Sequence, residues 1–348
     1  MIAYKFRSGK GTRDNEGMDV FERDIALLSR DMIYVPTVAQ LNDPAEALVD
    51  ESMLKIQLRL IKRIFARGDI KPLEDGLYGL RNKIRTSGIY SLSKRIDNEL
   101  MWAYYASGHT GYAIIFDLEI LAKSFNRMRW GGMYEFDVNY SSKLPRFDIT
   151  KIDKLKIEEV LTCLAGTKSR AWEHEAEHRL VFDEGGRCIK LDYRAIKGFV
   201  FGCRMKEDEI DYVMKAFTGR DLAYYKVELK EDSYKLSVKR MEDRFPNNDK
   251  YSPNKVEYDV EGLLERDKYV GGVGYEYRAL VEDALRDVSC EPFVTGISHV
   301  VVTDEKKYPH IFVWTKVNQD GCYKPVRAFE YDIIDGVLVK NEPESGSS

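Results

Sequence analysis

The sequence predicts an α+β fold. Short strands rich in β-branched and aromatic residues, such as Gly88–Ser93 and Gly111–Asp117, are interleaved with amphipathic helices. From Pro292 onward the chain changes to alternating apolar and polar residues with strand character. Hydrophobic residues make up 44% of the 348, enough for a substantial core.

The first expected strand is Ile2–Phe6, followed by a polar loop over Ser8–Gly17. Met18–Arg30 places Val20, Phe21, Ile25 and Leu28 at helical spacing. Met32–Pro36 reads as a short strand, and Asn42-Asp43-Pro44 as a helix start that leads into Ala45–Gly68. Gly88–Ser93 and Gly111–Asp117 flank a helix over Asn98–Ser107. Further helices are expected at Ile157–Thr167 and Glu207–Thr218, and further strands at Arg179–Phe182 and Phe199–Gly202. The strands Gly296–Thr303, Pro309–Lys316, Val326–Tyr331 and Val337–Lys340 make two antiparallel hairpins. These elements suggest a catalytic-type α+β domain over 1–230, a charged insertion or linker over 231–275, and a β-rich region over 276–345.

Composition narrows the function classes. With 54 Lys or Arg against 58 Asp or Glu, the net charge is −4, which excludes an overall basic nucleic-acid-binding protein. No run approaches the roughly 20 apolar residues of a membrane span, and Met1–Ser8 has no apolar signal core. The five cysteines are scattered, odd in number and never in a C-x-x-C pair. A cytoplasmic protein without a disulfide framework is the expectation.

The segment Lys168–Leu180 is the densest in chemistry. His174-Glu175-Ala176-Glu177-His178 matches H-E-x-x-H, which on a helix places two imidazoles around a zinc ion. Its flanks, Glu173, Glu177 and Arg179, are charged where a packed helix needs an apolar face, so no metal is expected. As a strand, the same residues place Trp172, His174, Ala176 and His178 on one side. Glu173, Glu175, Glu177 and Arg179 then fall on the other. Three crowded carboxylates suit either a polar cleft or a solvated edge. Trp102, Tyr104 and Tyr105 lie at helical spacing and read as core, and His109 reads as a capping residue. Gly271-Gly272-Val273-Gly274 lacks the Lys-Ser/Thr of a phosphate loop.

Tyr4-Lys5-Phe6-Arg7-Ser8, Asn42-Asp43-Pro44, Ser91-Leu92-Ser93, Leu100–Ala106 with His109-x-Gly111, and Trp172-x-x-Glu175-x-Glu177-x-Arg179 occur in that order. Together, over about residues 4–230, they resemble a bacterial family of uncharacterised proteins, the domain-of-unknown-function family twenty-nine seventy-one. More weakly, Arg7, Ser91-Leu92-Ser93 and Glu175-Ala176-Glu177 resemble the R-S-E arrangement of ADP-ribosyltransferases. That resemblance implies a split β-sheet core whose cleft holds NAD. It gives Arg7 the pyrophosphate, Ser91 and Ser93 the support of the ribose and the catalytic carboxylate, and Tyr90 or Tyr104 the nicotinamide face. Glu177 would stabilise the oxocarbenium-like ribose, and Glu175 would orient or deprotonate the nucleophile. The implied acceptor is a macromolecule (RNA, DNA or protein), in the setting of a toxin or phage-defence effector with an antitoxin or regulatory protein. The alternatives are a non-enzymatic sensor or protein-interaction module and, third, a zinc hydrolase through His174-Glu175-x-x-His178.

Overall fold

The computed structural model describes residues 1–14, 17–48, 50, 71–125, 133–146, 162–247, 251–253, 256–304, 307–318 and 326–341. The chain divides into two compact units, Met1–Pro246 and Asn247–Ser348. Both are mixtures of helix and sheet. Among the described residues, no helix is long and apolar enough to cross a membrane.

The first unit is built on an eight-stranded mixed sheet. Its strands are β1 (Ile2–Arg7), β3 (Gly88–Ser93), β4 (Tyr112–Asp117), β5 (Tyr134–Asp137), β8 (Glu177–Phe182), β10 (Ile196–Phe201), β11 (Ala223–Leu229) and β12 (Leu236–Met241). Their order is β12-β11-β10-β4-β1-β3-β8-β5, with β10 and β11 parallel and the other neighbours antiparallel. Two small sheets pair β2 (Met32–Val35) with β9 (Arg187–Lys190), and β6 (Asn139–Ser141) with β7 (Thr167–Ser169).

Three α-helices precede β4 among the described residues: α1 (Val20–Leu28), α2 (Lys71–Thr86) and α3 (Glu99–Tyr105). One face of the large sheet presents Ala3, Tyr90, Leu92, Tyr112, Ile114, Phe116, Leu180 and Phe199, and Phe21, Ile25 and Leu28 of α1 join that core. A second core packs Phe6, Ala113, Ile115 and Val200 with Met101, Trp102 and Ala106, and the first two of these last three lie on α3. Alternation along β1 and β4 assigns the two cores to opposite faces of the sheet. Asn98 starts α3 by accepting hydrogen bonds from the Leu100 and Met101 amides. Gly111 lets the chain return to the sheet, since a Cβ there would lie 2.1 Å from the Arg7 carbonyl oxygen.

The sheet is weakly joined at one place. β1 lies beside β4 from Ile2–Asp117 to Arg7–Tyr112, and β3 lies beside β8 from Gly88–Phe182 to Ser93–Glu177. Between β1 and β3, the register among the described residues contains one pair, Tyr4 opposite Ser93. Past that pair the Ser91 carbonyl accepts from Lys5 Nζ at 2.8 Å, so a side chain replaces the ladder. The expected pair of small sheets is therefore a single sheet with a sparse seam.

The second unit holds a four-stranded antiparallel sheet in the order β13 (Val294–Thr303), β14 (His310–Val317), β15 (Val326–Ile334) and β16 (Val337–Lys340). Leu263 and Leu264 of a helix over Val260–Tyr269 pack with Val281, Leu285 and Val288 of a helix over Arg278–Ser289 against Val300, Val302, Ile311 and Val313. The Gly271–Gly274 loop closes on a buried carboxylate: Asp267 Oδ2 accepts from the Gly274 amide at 2.7 Å, and Oδ1 from the Val302 amide at 2.8 Å.

The expected linker at 231–275 is corrected by these elements. Leu236–Met241 is the edge strand of the large sheet, and Val260–Tyr269 is a core helix of the second unit. The predicted Ala45–Gly68 helix begins instead as a turn over residues 44–47, and its part over 51–68 lies outside the described residues. Of the predicted Ile157–Thr167 helix, residues 162–165 are helical and Thr167 starts β7.

Because β12 belongs to the sheet, a chain ending at Pro246 should unfold in one cooperative transition, whereas one ending at Lys230 should be less stable. Loss of the buried Leu236 alone is expected to cost about 2 kcal/mol. Urea unfolding of both chains checks this, and equal stability would contradict the assignment of β12.

Candidate functional site

The site begins with a local break in the expected strand. Arg170–Glu175 forms a 3-10 turn in which Ser169 Oγ accepts from the Ala171 amide. Ala176 then adopts a left-handed conformation at φ 44°, and β8 starts at Glu177. That kink turns Glu175 back over the strand, so Glu175 and Glu177 converge although only Glu177 is on β8. Ser93 Oγ, buried on the neighbouring strand, fixes the turn by donating to the Glu175 carbonyl at 2.7 Å.

Alternation along β8 puts Glu177 and Arg179 on one face. Across from them on β3 lie Ser93 and Ser91. Arg179 has no exposed surface and lies between two carboxylates. It donates to Glu177 through Nε at 2.8 Å and Nη2 at 3.0 Å, and to Glu46 through Nη1 at 2.8 Å and Nη2 at 2.6 Å. Lys168, on β7, places Nζ 2.5 Å from Glu175 Oε2, 3.2 Å from Glu177 Oε2 and 3.5 Å from Glu46 Oε1. Tyr105 donates to Glu175 Oε1 at 2.5 Å, and Tyr140 accepts from the Glu177 amide at 2.9 Å.

Three carboxylates thus face two cations, Lys168 and Arg179, all within a buried cluster. Burial raises the pKa of both glutamates, but their neighbours separate them. Around Glu177, Arg179, Lys168 and a hydrogen bond from Ser91 outweigh burial and hold its pKa down at about 2. Glu175 remains raised, because burial and the charge of Glu177 outweigh Lys168 and Tyr105. Burial and the charge of Glu177 thus push Glu175 toward its protonated form, while Glu177 is held ionised.

The structure does not bring Arg7 to these groups. Arg7 pairs opposite Tyr112, on the alternate side of β1 from Phe6, and its Nε lies 2.8 Å from the Asp24 carboxylate of α1. Tyr90 also faces that side, edge-on to Phe116 at 6.2 Å and beneath Lys5 Nζ at 4.7 Å. Tyr104 is 63% exposed, with its ring 6.4 Å from that of His174. The two histidines diverge. His174 lies in the 3-10 turn with Nδ1 at the Ala171 carbonyl, and His178 is buried on β8 with Nδ1 at Asp137. The helical premise of the zinc reading is thereby corrected.

Among the described residues, Lys168, Glu46 and Tyr105 belong to the site without being marked by the sequence. Glu46 follows Asn42-Asp43-Pro44, where Asp43 Oδ1 accepts from the Ala45 amide and the turn aims Glu46 at Arg179. Tyr105 shares helical spacing with Trp102, which suggests core for both, yet only Trp102 is fully buried.

A family model described as a protein of unknown function (DUF2971) matches residues 101–180. Over that stretch the chain resembles this family. The matched segment contains Tyr105, Tyr140, Lys168, Glu175, Glu177 and Arg179, and leaves Arg7, Glu46, Ser91 and Ser93 outside it. None of the curated proteins and none of the solved structures matches the chain.

The charges of the first unit are open to two stability measurements. Glu46→Ala removes one partner of a wholly buried guanidinium and should destabilise the first unit by about 3 kcal/mol in urea unfolding. A loss below about 0.5 kcal/mol would show that Arg179 does not depend on it. Lys5 is the second case: burial and the charge of Arg7 pull its pKa down to about 7 from 10.5. The folded chain then sheds a proton that the unfolded chain keeps, so this residue's contribution to stability improves as pH rises from about 7 toward 10.5. Relative to Lys5→Met, the unsubstituted chain should gain stability between about pH 7 and 9.5, and parallel urea curves at the two pH values would refute it.

Proposed function

We propose that the chain is an NAD-dependent ADP-ribosyltransferase whose chemistry is carried by Glu177 and Glu175. The observation that supports this most is the divergence of the two carboxylates: adjacent groups with one pKa driven down and the other up are suited to separate tasks. Glu177, kept ionised, stabilises positive charge at ribose C1′ as the bond to nicotinamide breaks. Glu175, which takes up a proton more readily, serves as the base toward the acceptor. Ser91 supports Glu177 through its hydroxyl, and Ser93 supports Glu175 through its carbonyl. The sparse seam between β1 and β3 runs beside Ser91 and Ser93. Arg7 has no part in this proposal, since it is paired with Asp24 on the other face. The acceptor is a macromolecule, and a net charge of −4 gives no electrostatic preference for nucleic acid over protein.

A second reading, a non-enzymatic interaction or sensor module, is favoured by the closure of the cluster. Glu175 and Glu177 are only 3% and 4% exposed, and both are ion-paired. The test is incubation with NAD labelled on its adenosine half and a whole-cell extract. Label should appear on the protein or nucleic-acid fraction, and Glu177→Gln should lower the rate at least about a hundredfold, on the order of 3 kcal/mol of transition-state stabilisation. Because a neutral amide in place of this carboxylate leaves Arg179 with less charge opposite it, thermal unfolding is measured alongside and rates are compared well below the variant's Tm. Full activity in Glu177→Gln would falsify the role of this carboxylate, and intact NAD with the unsubstituted chain favours the module.

A further inference from the structure

We propose that Tyr105 is a proton relay between Glu175 and the acceptor, a role that rests on the transferase reading above. Glu175 is almost wholly buried, and both of its carboxylate oxygens are engaged. Oε2 faces Lys168, itself buried, whereas Oε1 receives the phenol of Tyr105. Tyr105 is half-buried at the last turn of α3. Asn42, an exposed residue, acts on this phenol in the direction that favours the phenolate, as a donor near the phenol oxygen does. The phenol therefore meets the buried base directly, while the half-buried position of Tyr105 and the influence of exposed Asn42 connect it to the surface.

An acceptor hydroxyl that replaces Asn42 completes a chain of two hydrogen bonds to Glu175. As the acceptor oxygen bonds to ribose C1′, its proton passes to the Tyr105 oxygen and the Tyr105 proton passes to Glu175 Oε1. The C1′–nitrogen bond breaks with its electron pair going to nicotinamide, which leaves neutral. Tyr105 ends as it began, and Glu175 ends protonated.

The turn that carries Glu175 does not depend on this phenol. Asn98 Nδ2 donates to the His174 carbonyl at 2.9 Å, and Ser93 holds the Glu175 carbonyl. Tyr105→Phe should therefore keep the fold. Among the described residues, the other charged or titratable groups about Glu175 include Lys168 from β7, Glu177 and Arg179 from β8, Glu46 from the turn after Pro44, Lys5 from β1 and Tyr140 from β6. The substitution leaves all of them in place and removes a hydrogen bond that lowers the pKa of Glu175.

The experiment compares the full chain and Tyr105→Phe for transfer of labelled ADP-ribose across pH. The expected result is an unchanged KM for NAD, a fall in kcat of roughly 10–100-fold, and an acid limb displaced to higher pH. Carbonyl NMR of ¹³C-labelled glutamate should show the Glu175 titration displaced the same way. An active unsubstituted chain whose Tyr105→Phe variant keeps its rate and acid limb overturns the relay and leaves the transferase reading standing. An unsubstituted chain that leaves NAD intact overturns the transferase reading, and the relay with it.

Discussion

The first unit depends on the burial of one guanidinium. Arg179 has carboxylates on two sides and the Ala165 carbonyl at 2.5 Å. A charge removed from water is tolerated only when its donors are matched, and Arg179 reaches that state through three separated pieces of chain. The turn at Glu46, the stretch from Ala165 to Lys168, and β8 itself must all be in place together. The same partners set the charge state of the site. Glu177 stays ionised because it balances Arg179, and Lys168 is drawn in because one cation does not satisfy three carboxylates. Core structure and candidate chemistry are thus supported by the same contacts.

Much of the fold is legible in the sequence because it rests on local periodicity. The strands Gly88–Ser93 and Gly111–Asp117 and the helix that starts at Asn98 read directly from residue type. Alternation also places Glu177 and Arg179 on one face, as observed. The failures come from information that is not local. The order Arg7, Ser91, Glu177 says nothing about register, and Tyr4 rather than Arg7 is the residue opposite Ser93. Once that pair is set, alternation along β1 sends Arg7 to Asp24. Lys168 and Glu46 lie beside motifs, at the head of Lys168–Leu180 and just after Asn42-Asp43-Pro44, but a single Lys or Glu looks solvated until its partners in space are known. Ala176 gives no warning either, because a left-handed kink at Ala has no compositional signature.

The charged stretch after Lys230 shows a related limit. Leu236–Met241 carries Lys239 and Arg240, which reads as a solvated linker. An edge strand needs such side chains to discourage pairing with another chain, so the composition that suggests a linker also suits the border of a sheet. Likewise, the Val260–Tyr269 helix hides its core contribution in two adjacent leucines, Leu263 and Leu264.

The position of β1 has a consequence for the order of assembly. This strand is in the interior of the sheet, yet it precedes both of its neighbours in the chain. Ile2 must wait for Asp117, and Tyr4 for Ser93, before either edge of β1 is closed. Such distant pairings carry a large loop-closure entropy and slow the search for the native topology. Until they form, Ala3 and Phe6 expose apolar surface beside two open strand edges. The sheet thus has a late-sealing centre, and a chain released with β1 unpaired would be most prone to association there.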